Sequence, residues 1–163
     1  GDCTMSKLFV DDIVEKTSGH GVSIPGHVIQ QVNATTTTHE ATTSNTFVDT
    51  ALHVIITPKN NSSKILLLGS ISIYQDTNNS VGSISVKRDS TNLGHSNFGL
   101  GYIYASAGGA IVHQLPISHL DSPLTTSAIT YRVLISRAST GTGAAQISIN
   151  NTPSSLIALE IAQ

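Results

Sequence analysis

Apolar and polar side chains alternate through the last third of the chain, and this period of two constrains the fold more than any other feature. Ile157, Leu159 and Ile161 share one face of segment 155–162. Segment 128–137 repeats the pattern through Ile129, Tyr131, Val133 and Ile135. Such alternation is typical of strands with one buried face, which a second sheet must cover. The sequence therefore predicts an antiparallel β-sandwich.

Further strand-like segments, separated by turn signals, extend the pattern towards the N terminus. The predicted strands are 27–32, 47–57, 64–74, 81–88, 110–119, 128–137, 144–149 and 155–162. Segment 64–74 is apolar on both faces, which predicts a central strand that is covered on both sides, by a second sheet of the same chain or by a neighbouring subunit. Pro116 places segment 110–119 at a sheet edge or bulge. We interpret the Thr-rich run 34–45 as an edge strand or loop, and residues 89–109 as a loop.

The chain divides into a short arm and one domain. Residues 1–26 form a predicted arm or linker that is too small to fold alone, and residues 27–163 form the sandwich domain. Four apolar arm residues are predicted to dock on another protein or on neighbouring subunits: Leu8, Phe9, Val10 and Ile13.

The composition excludes several classes of function. Charged residues make up 11% of the chain and the net charge is −2, against about 25% charged residues in typical domains. The few Lys and Arg residues are scattered, so we predict no nucleic-acid binding. No apolar run approaches the roughly 18 residues that cross a bilayer, so we predict no membrane insertion. With Cys3 as its only cysteine, the chain must be held by packing, in part between subunits.

No motif indicates catalysis, a cofactor or a metal. Gly94–Phe98 resembles a nucleophile elbow, but Phe98 stands where that motif requires glycine. Asp76 and Asp89, in neighbouring predicted loops, are the only carboxylate pair worth considering, and a role in turns explains them equally well. The seven histidines never lie two residues apart. We predict a protein that is not an enzyme.

Two tyrosines suggest a binding surface. Tyr102 and Tyr104 lie in a glycine-rich stretch close to His95 and Asn97. Aromatic rings flanked by imidazole and amide groups are suited to glycan contact. The alternative is that the tyrosines plug the end of the sandwich or a subunit interface.

Short blocks of the sequence resemble tail-fibre-like virion surface proteins of the type common in marine and cyanobacterial bacteriophages. The blocks are Ser6–Ile13, Ile24–Val32, Thr46–Leu52, Ile55–Pro58, Ser63–Leu68 and Ala158–Ile161. The resemblance covers most of the chain but includes no catalytic signature. It implies a virion component at the tail or capsid surface, a jelly-roll-like domain and a homotrimer.

The sequence thus predicts a non-enzymatic virion structural protein, a tail-fibre or knob-like component involved in host attachment. Its expected partners are copies of itself, other virion proteins reached through the arm, and host cell-surface glycan. Two alternatives remain open: a capsid decoration protein that cements the shell, and a carbohydrate-binding module.

Overall fold

The computed structural model describes residues 14, 24–77, 79–106, 109–138 and 143–163. Within these residues the chain forms eleven strands and one short 3-10 turn at Ile149–Asn151. The strands are β1 (Val28–Thr36), β2 (Glu40–Thr42), β3 (Val48–Ile56), β4 (Lys64–Gln75), β5 (Ser80–Arg88), β6 (Thr91–Asn92), β7 (Gly101–Ala105), β8 (Ile111–Asp121), β9 (Ile129–Arg137), β10 (Ala145–Ile147) and β11 (Ser154–Ile161).

The strands form two antiparallel sheets. Sheet A has the order β1-β11-β4-β8, and β10 and β2 continue it beside the end of β4. Sheet B has the order β3-β9-β5, with β7 and β6 along the other edge of β5. The predicted antiparallel sandwich is confirmed.

The strand pairs are nested in sequence, which gives the sandwich its topology. β1 pairs with β11, β3 with β9, β4 with β8, and β5 with β7. The chain thus resembles one long hairpin that has been rolled up, with β4 brought beside β11 and β5 beside β9. This is the strand order of a jelly roll, as expected.

Aliphatic side chains between the sheets form the core. The inward residues Ile65, Leu67, Ile71 and Ile73 of β4 are fully buried. They face sheet B, whose inward residues include Val54, Ile84 and Val133. Burial of each such side chain contributes about 1.5–3 kcal/mol. The prediction that 64–74 is the central strand is confirmed, and Pro116 lies on β8 at the edge of sheet A, as predicted.

The outward face of β4 is the exception to this burial. Leu66 and Leu68 alternate with the core residues and are half-buried. The second cover predicted for this strand is therefore not complete within the described part of one protomer.

Two carboxylates close one end of the core. Asp121 and Glu160 pair with Ile65 from its two sides, so they lie in one row across sheet A. Asp121 is 8% exposed; its oxygens accept hydrogen bonds from Arg88 Nη1 at 2.8 and 2.9 Å and from the Tyr131 hydroxyl at 2.6 Å. Because β8 lies in sheet A and β5 and β9 in sheet B, this cluster ties the sheets together.

Glu160 anchors the turn between β3 and β4 through hydrogen bonds. It is fully buried and accepts hydrogen bonds from Gln30 Nε2 at 2.6 Å and from the backbone N–H of Lys59 at 2.8 Å. A buried carboxylate is tolerated when its lone pairs are satisfied in this way.

The prediction of a loop over 89–109 was wrong. The segment contains β6 and β7, and Tyr102 and Tyr104 lie on β7. The alternation of β7 is hard to recognise because two of its inward positions are Gly101 and Ala105, which add little apolar signal. In the run 34–45 both predicted alternatives occur, since β2 is an edge strand of sheet A and loops flank it.

Removing the hydroxyl of Tyr131 tests the closure at Asp121. Tyr131→Phe should lower the free energy of unfolding by about 1–2 kcal/mol, because Asp121 loses a buried donor. Burial and the neighbouring carboxylate raise the pKa of Tyr131 above its ordinary 10.0. The protonated tyrosine therefore stabilises the fold below about pH 10, and this stabilisation is lost as the pH rises further. Urea unfolding at pH 7 and pH 11 measures both effects.

The matched control is Tyr74→Phe on the outward face of β4, which should change stability by less than about 0.5 kcal/mol. Two results would contradict the role given to Asp121. One is an equal loss in the free energy of unfolding for the two variants, and the other is a Tyr131→Phe variant whose free energy of unfolding still falls between pH 7 and pH 11 as much as that of the unmodified protein.

Candidate functional site

Four exposed rings form a continuous strip at the edge of sheet B, and we call His95, Phe98, Tyr102 and Tyr104 the aromatic strip. The His95 and Phe98 rings stack with centroids 5.5 Å apart and planes 19° apart. Phe98 and Tyr102 lie 5.1 Å apart with a tilt of 41°. Tyr102 and Tyr104 are 54% and 52% exposed and share the outward face of β7, since they are two residues apart.

A tight hairpin positions the first half of the strip. His95 and Gly99 exchange backbone hydrogen bonds of 3.0 and 2.9 Å. Leu93 and Leu100, on either side, donate backbone N–H groups to β5. Gly99 has a φ of +62° and lies against the backbone of Ile84. The loop thus continues the edge of sheet B rather than extending freely into solvent.

The orientation of the His95 ring is set by its own loop. The backbone N–H groups of Asn97 and Phe98 donate to His95 Nδ1 at 3.1 and 3.3 Å. Because Nδ1 accepts, the proton of the neutral ring lies on Nε2. The strip therefore carries a hydrogen-bond donor beside its stacked rings.

The other end of the strip borders a groove. The Tyr104 hydroxyl donates to Asn79 Oδ1 at 3.1 Å. A cleft of about 310 Å³ runs between β7 and β8, where the edges of the two sheets meet. Its lining residues are Tyr102, Ile103, Tyr104, Ile111, His113 and Leu115. Rings beside polar groups and an open cleft can stack on the apolar face of a ring-shaped ligand and bind its hydroxyls.

The structure brings together most of the residues predicted from the sequence. His95 and Tyr102 are joined through Phe98, and Tyr104 follows on the same face of β7. Asn97 contributes its backbone to His95, while its side chain is exposed. The sequence prediction missed Phe98, which entered only as the residue that breaks a catalytic motif. It also missed His113, which only the pairing of β8 with β4 brings to the groove.

The predicted arm residues Leu8, Phe9, Val10 and Ile13 lie outside the described residues. The nearest described residue, Val14, is exposed. Residues 24–27, which precede β1, are held against the end of β11, since Gly26 N–H donates to the Ala162 carbonyl at 2.9 Å.

The carboxylates considered for catalysis make local structural bonds. Burial disfavours the charged form of Asp76, but hydrogen bonds from Ala144 N–H, the Thr77 hydroxyl and the Gln146 amide outweigh it and hold its pKa below the usual value. Asp89 accepts a 3.0 Å bond from Thr130 N–H. Both therefore act in turns and strand ends.

The described residues offer neither a metal centre nor a membrane-spanning helix. Among the described residues, no three His, Cys, Asp or Glu side chains are grouped so that they could hold a metal ion. None of the described segments forms a helix of the length and apolar character needed to span a bilayer.

Neither a protein-family model nor a curated protein matches the sequence. Solved structures from infectious bursal disease virus are similar at low identity. The VP2 subviral particle has 11% identity and a TM-score of 0.47 over 91% of this chain and 41% of that chain. The T=1 particles derived from the virus have 12% identity and a TM-score of 0.44 over 93% and 41%. The Gx strain has 10% identity and a TM-score of 0.44 over 83% and 33%.

The chain spans about two fifths or less of the length of these viral chains. Similarity of this size does not relate the proteins by function.

Adding one methyl group to the hairpin tests how the strip is positioned. In Gly99→Ala the new Cβ would clash with the Ile84 carbonyl oxygen, and alanine disfavours the positive φ. We expect a loss of at least about 2 kcal/mol in the free energy of unfolding. Gly101→Ala is the control, because its Cβ would meet side-chain carbons at 3.6 and 3.9 Å. Equal tolerance of both substitutions in urea unfolding would show that the hairpin does not pack as described.

Proposed function

We propose that this protein is a non-enzymatic virion structural protein, a tail-fibre or knob-like component that contacts host-surface glycan through the aromatic strip. The observation that carries the proposal is the strip itself. Its tyrosines are more than half exposed although the chain is only 4% aromatic. Exposed aromatic rings that lie side by side next to a cleft are typical of ligand contact.

The surroundings of the strip support binding rather than chemistry. The described residues near it offer imidazole, amide and phenol groups, whereas the carboxylates Asp76 and Asp89 are held by local hydrogen bonds. A site that cleaves glycosidic bonds would ordinarily need two carboxylates facing each other across a cleft. The groove beside the strip is lined by Ile111, His113 and Leu115 instead.

The fold supports a structural role. A sandwich of nested strand pairs is a rigid support, and recognition on such a support is carried by its edges and connecting loops. The aromatic strip occupies this position. The resemblance of the sequence blocks to phage tail-fibre-like proteins favours the same role.

Self-association would strengthen such binding. A single stacking site on a sugar is weak, since each aromatic contact contributes about 0.5–1.5 kcal/mol beyond its buried area. Linking several copies raises the avidity by about 10²–10⁴ without new contacts. A homotrimer attached to other virion proteins through arm residues 1–26 would supply that multivalency.

Truncating the two tyrosines tests the proposal. We expect the double variant Tyr102→Ala/Tyr104→Ala to bind a glycan array at least about tenfold more weakly than the unmodified protein, because two stacking rings are lost. Both side chains are more than half exposed, so circular dichroism should show an unchanged fold.

The control is Ile55→Ala, which truncates a side chain that is 56% exposed on β3 and should leave glycan binding unchanged. Unchanged binding in the tyrosine variant, or no binding by the unmodified protein, would contradict the glycan contact. Labelling the protein for electron microscopy of the particle separates a tail location, which we expect, from the capsid location of a decoration protein.

A further inference from the structure

The outer face of sheet A is unusually apolar for a surface of a single protomer. Side chains alternate along each strand and paired residues share a face, so the outward positions follow from the register. The aliphatic side chains on this face are Val28 of β1, Ile157, Leu159 and Ile161 of β11, Leu66 and Leu68 of β4, and Val112 and Leu120 of β8. We call these eight residues the aliphatic face.

Seven residues of the aliphatic face form a continuous patch across the strands, and Val112 lies apart beyond the Ser70–Pro116 and Ser72–Gln114 rows. Leu159 pairs with Leu66, and Leu66 pairs with Leu120, so three leucines form one row across sheet A. In the next row Ile157 pairs with Leu68. Leu120 is 51% exposed, and the described residues of the protomer leave the face open.

Charge is nearly missing from this side of the sandwich. Among the outward positions of β1, β11, β4 and β8 in the described residues, only Lys64 is ionised. The outer face of sheet B differs. There Asp49 lies 2.7 Å from Lys87 Nζ and 3.7 Å from Arg132 Nε. The outer face of sheet B therefore carries ion pairs, whereas the described outward positions of these four strands carry one charge among uncharged side chains.

The outer face of sheet A approaches the area of a standard contact. Its four strands lie about 4.8 Å apart and hold 9, 8, 12 and 11 residues, so the whole face, polar positions included, covers roughly 650 Å². A standard protein interface buries about 800 Å² on each partner.

We propose that the aliphatic face is the surface through which copies of this chain associate, with a second copy as its occupant. A flat aliphatic sheet needs no charged partner, and sheets pack on one another about 10 Å apart through side chains of this kind. The net charge of −2 gives two copies little mutual repulsion. The inference gives a surface to the self-association in the proposed function, and it is independent of glycan binding.

This assignment leaves the aromatic strip available. The strip lies on sheet B and at its edge, whereas the contact uses the opposite outer face of the sandwich. Contact between two aliphatic faces closes as a dimer, and contact between this face and a different surface gives a ring or an open filament. The mass of the assembly identifies which arrangement is present.

Introducing a charge into the face tests the proposal. For the unmodified full chain, light scattering should give the mass of two or more copies. We expect Leu120→Lys and Val112→Lys each to weaken association by at least about tenfold, because each copy would bury an unpaired ammonium group. Both parent side chains are more than half exposed in the protomer, so the fold should tolerate the change.

Ile55→Lys is the matched control, since Ile55 is 56% exposed on the outer face of sheet B. It should keep the mass of the unmodified assembly, with the thermal unfolding midpoint of all variants measured in parallel. A monomeric unmodified chain would overturn the inference, whether arm residues 1–26 or another protein covers the face. So would variants of Leu120 and Val112 that assemble as Ile55→Lys does.

The two proposals fail separately. Loss of glycan binding in an intact assembly would overturn the proposed function and leave the interface in place. Glycan binding by a monomer would do the reverse.

Discussion

The contact between the two inward aliphatic faces is the interaction on which the rest of this structure depends. The chain has a single cysteine and no tryptophan, so neither disulfides nor large aromatic clusters can hold the sheets together. The inward Ile, Leu and Val residues must provide the stabilisation, with Ile65, Leu67 and Ile71 of β4 at the centre. Asp121 and Glu160 then close one end with satisfied hydrogen bonds, so the buried charges fix the geometry of the turns without leaving unpaired groups.

The rolled topology creates two distinct surfaces, one at the edge of the sandwich and one on the outer face of sheet A. Nesting of the strand pairs places β7 and β8 at adjacent sheet edges, where the aromatic strip and its groove form. The same rolling brings β11 beside β4, and this pairing assembles the aliphatic face from strands far apart in sequence. A rigid core thus supports recognition at one edge and, in our proposal, association on one face.

Period-two alternation was enough to predict the strands that carry the core. It located β3, β4 and β9 because their inward positions are mostly large and apolar. It located β11 through Ile157, Leu159 and Ile161, which the structure places on the outer face of sheet A, whereas the inward positions of this strand are Leu156, Ala158 and Glu160. It failed at β7, where Gly101 and Ala105 occupy inward positions and only Ile103 gives an apolar signal.

The site was harder to predict than the strands, because its parts meet through pairings distant in sequence. Tyr102, Tyr104 and His95 were recognisable by residue type. The role of Phe98 depends on the hairpin closed by His95 and Gly99, which brings its ring within 5.1 Å of Tyr102.

Two neighbouring residues of β4 offer the most direct test of the central claim, that one face of sheet A forms the core and the other does not. We expect Leu67→Ala to lower the free energy of unfolding by about 2–5 kcal/mol at every protein concentration, because its side chain fills the core. Leu68→Ala should cost less than Leu67→Ala in dilute solution, with a loss that grows with protein concentration as copies associate. Urea unfolding at two concentrations measures both, and equal losses for the two variants in dilute solution would contradict the account.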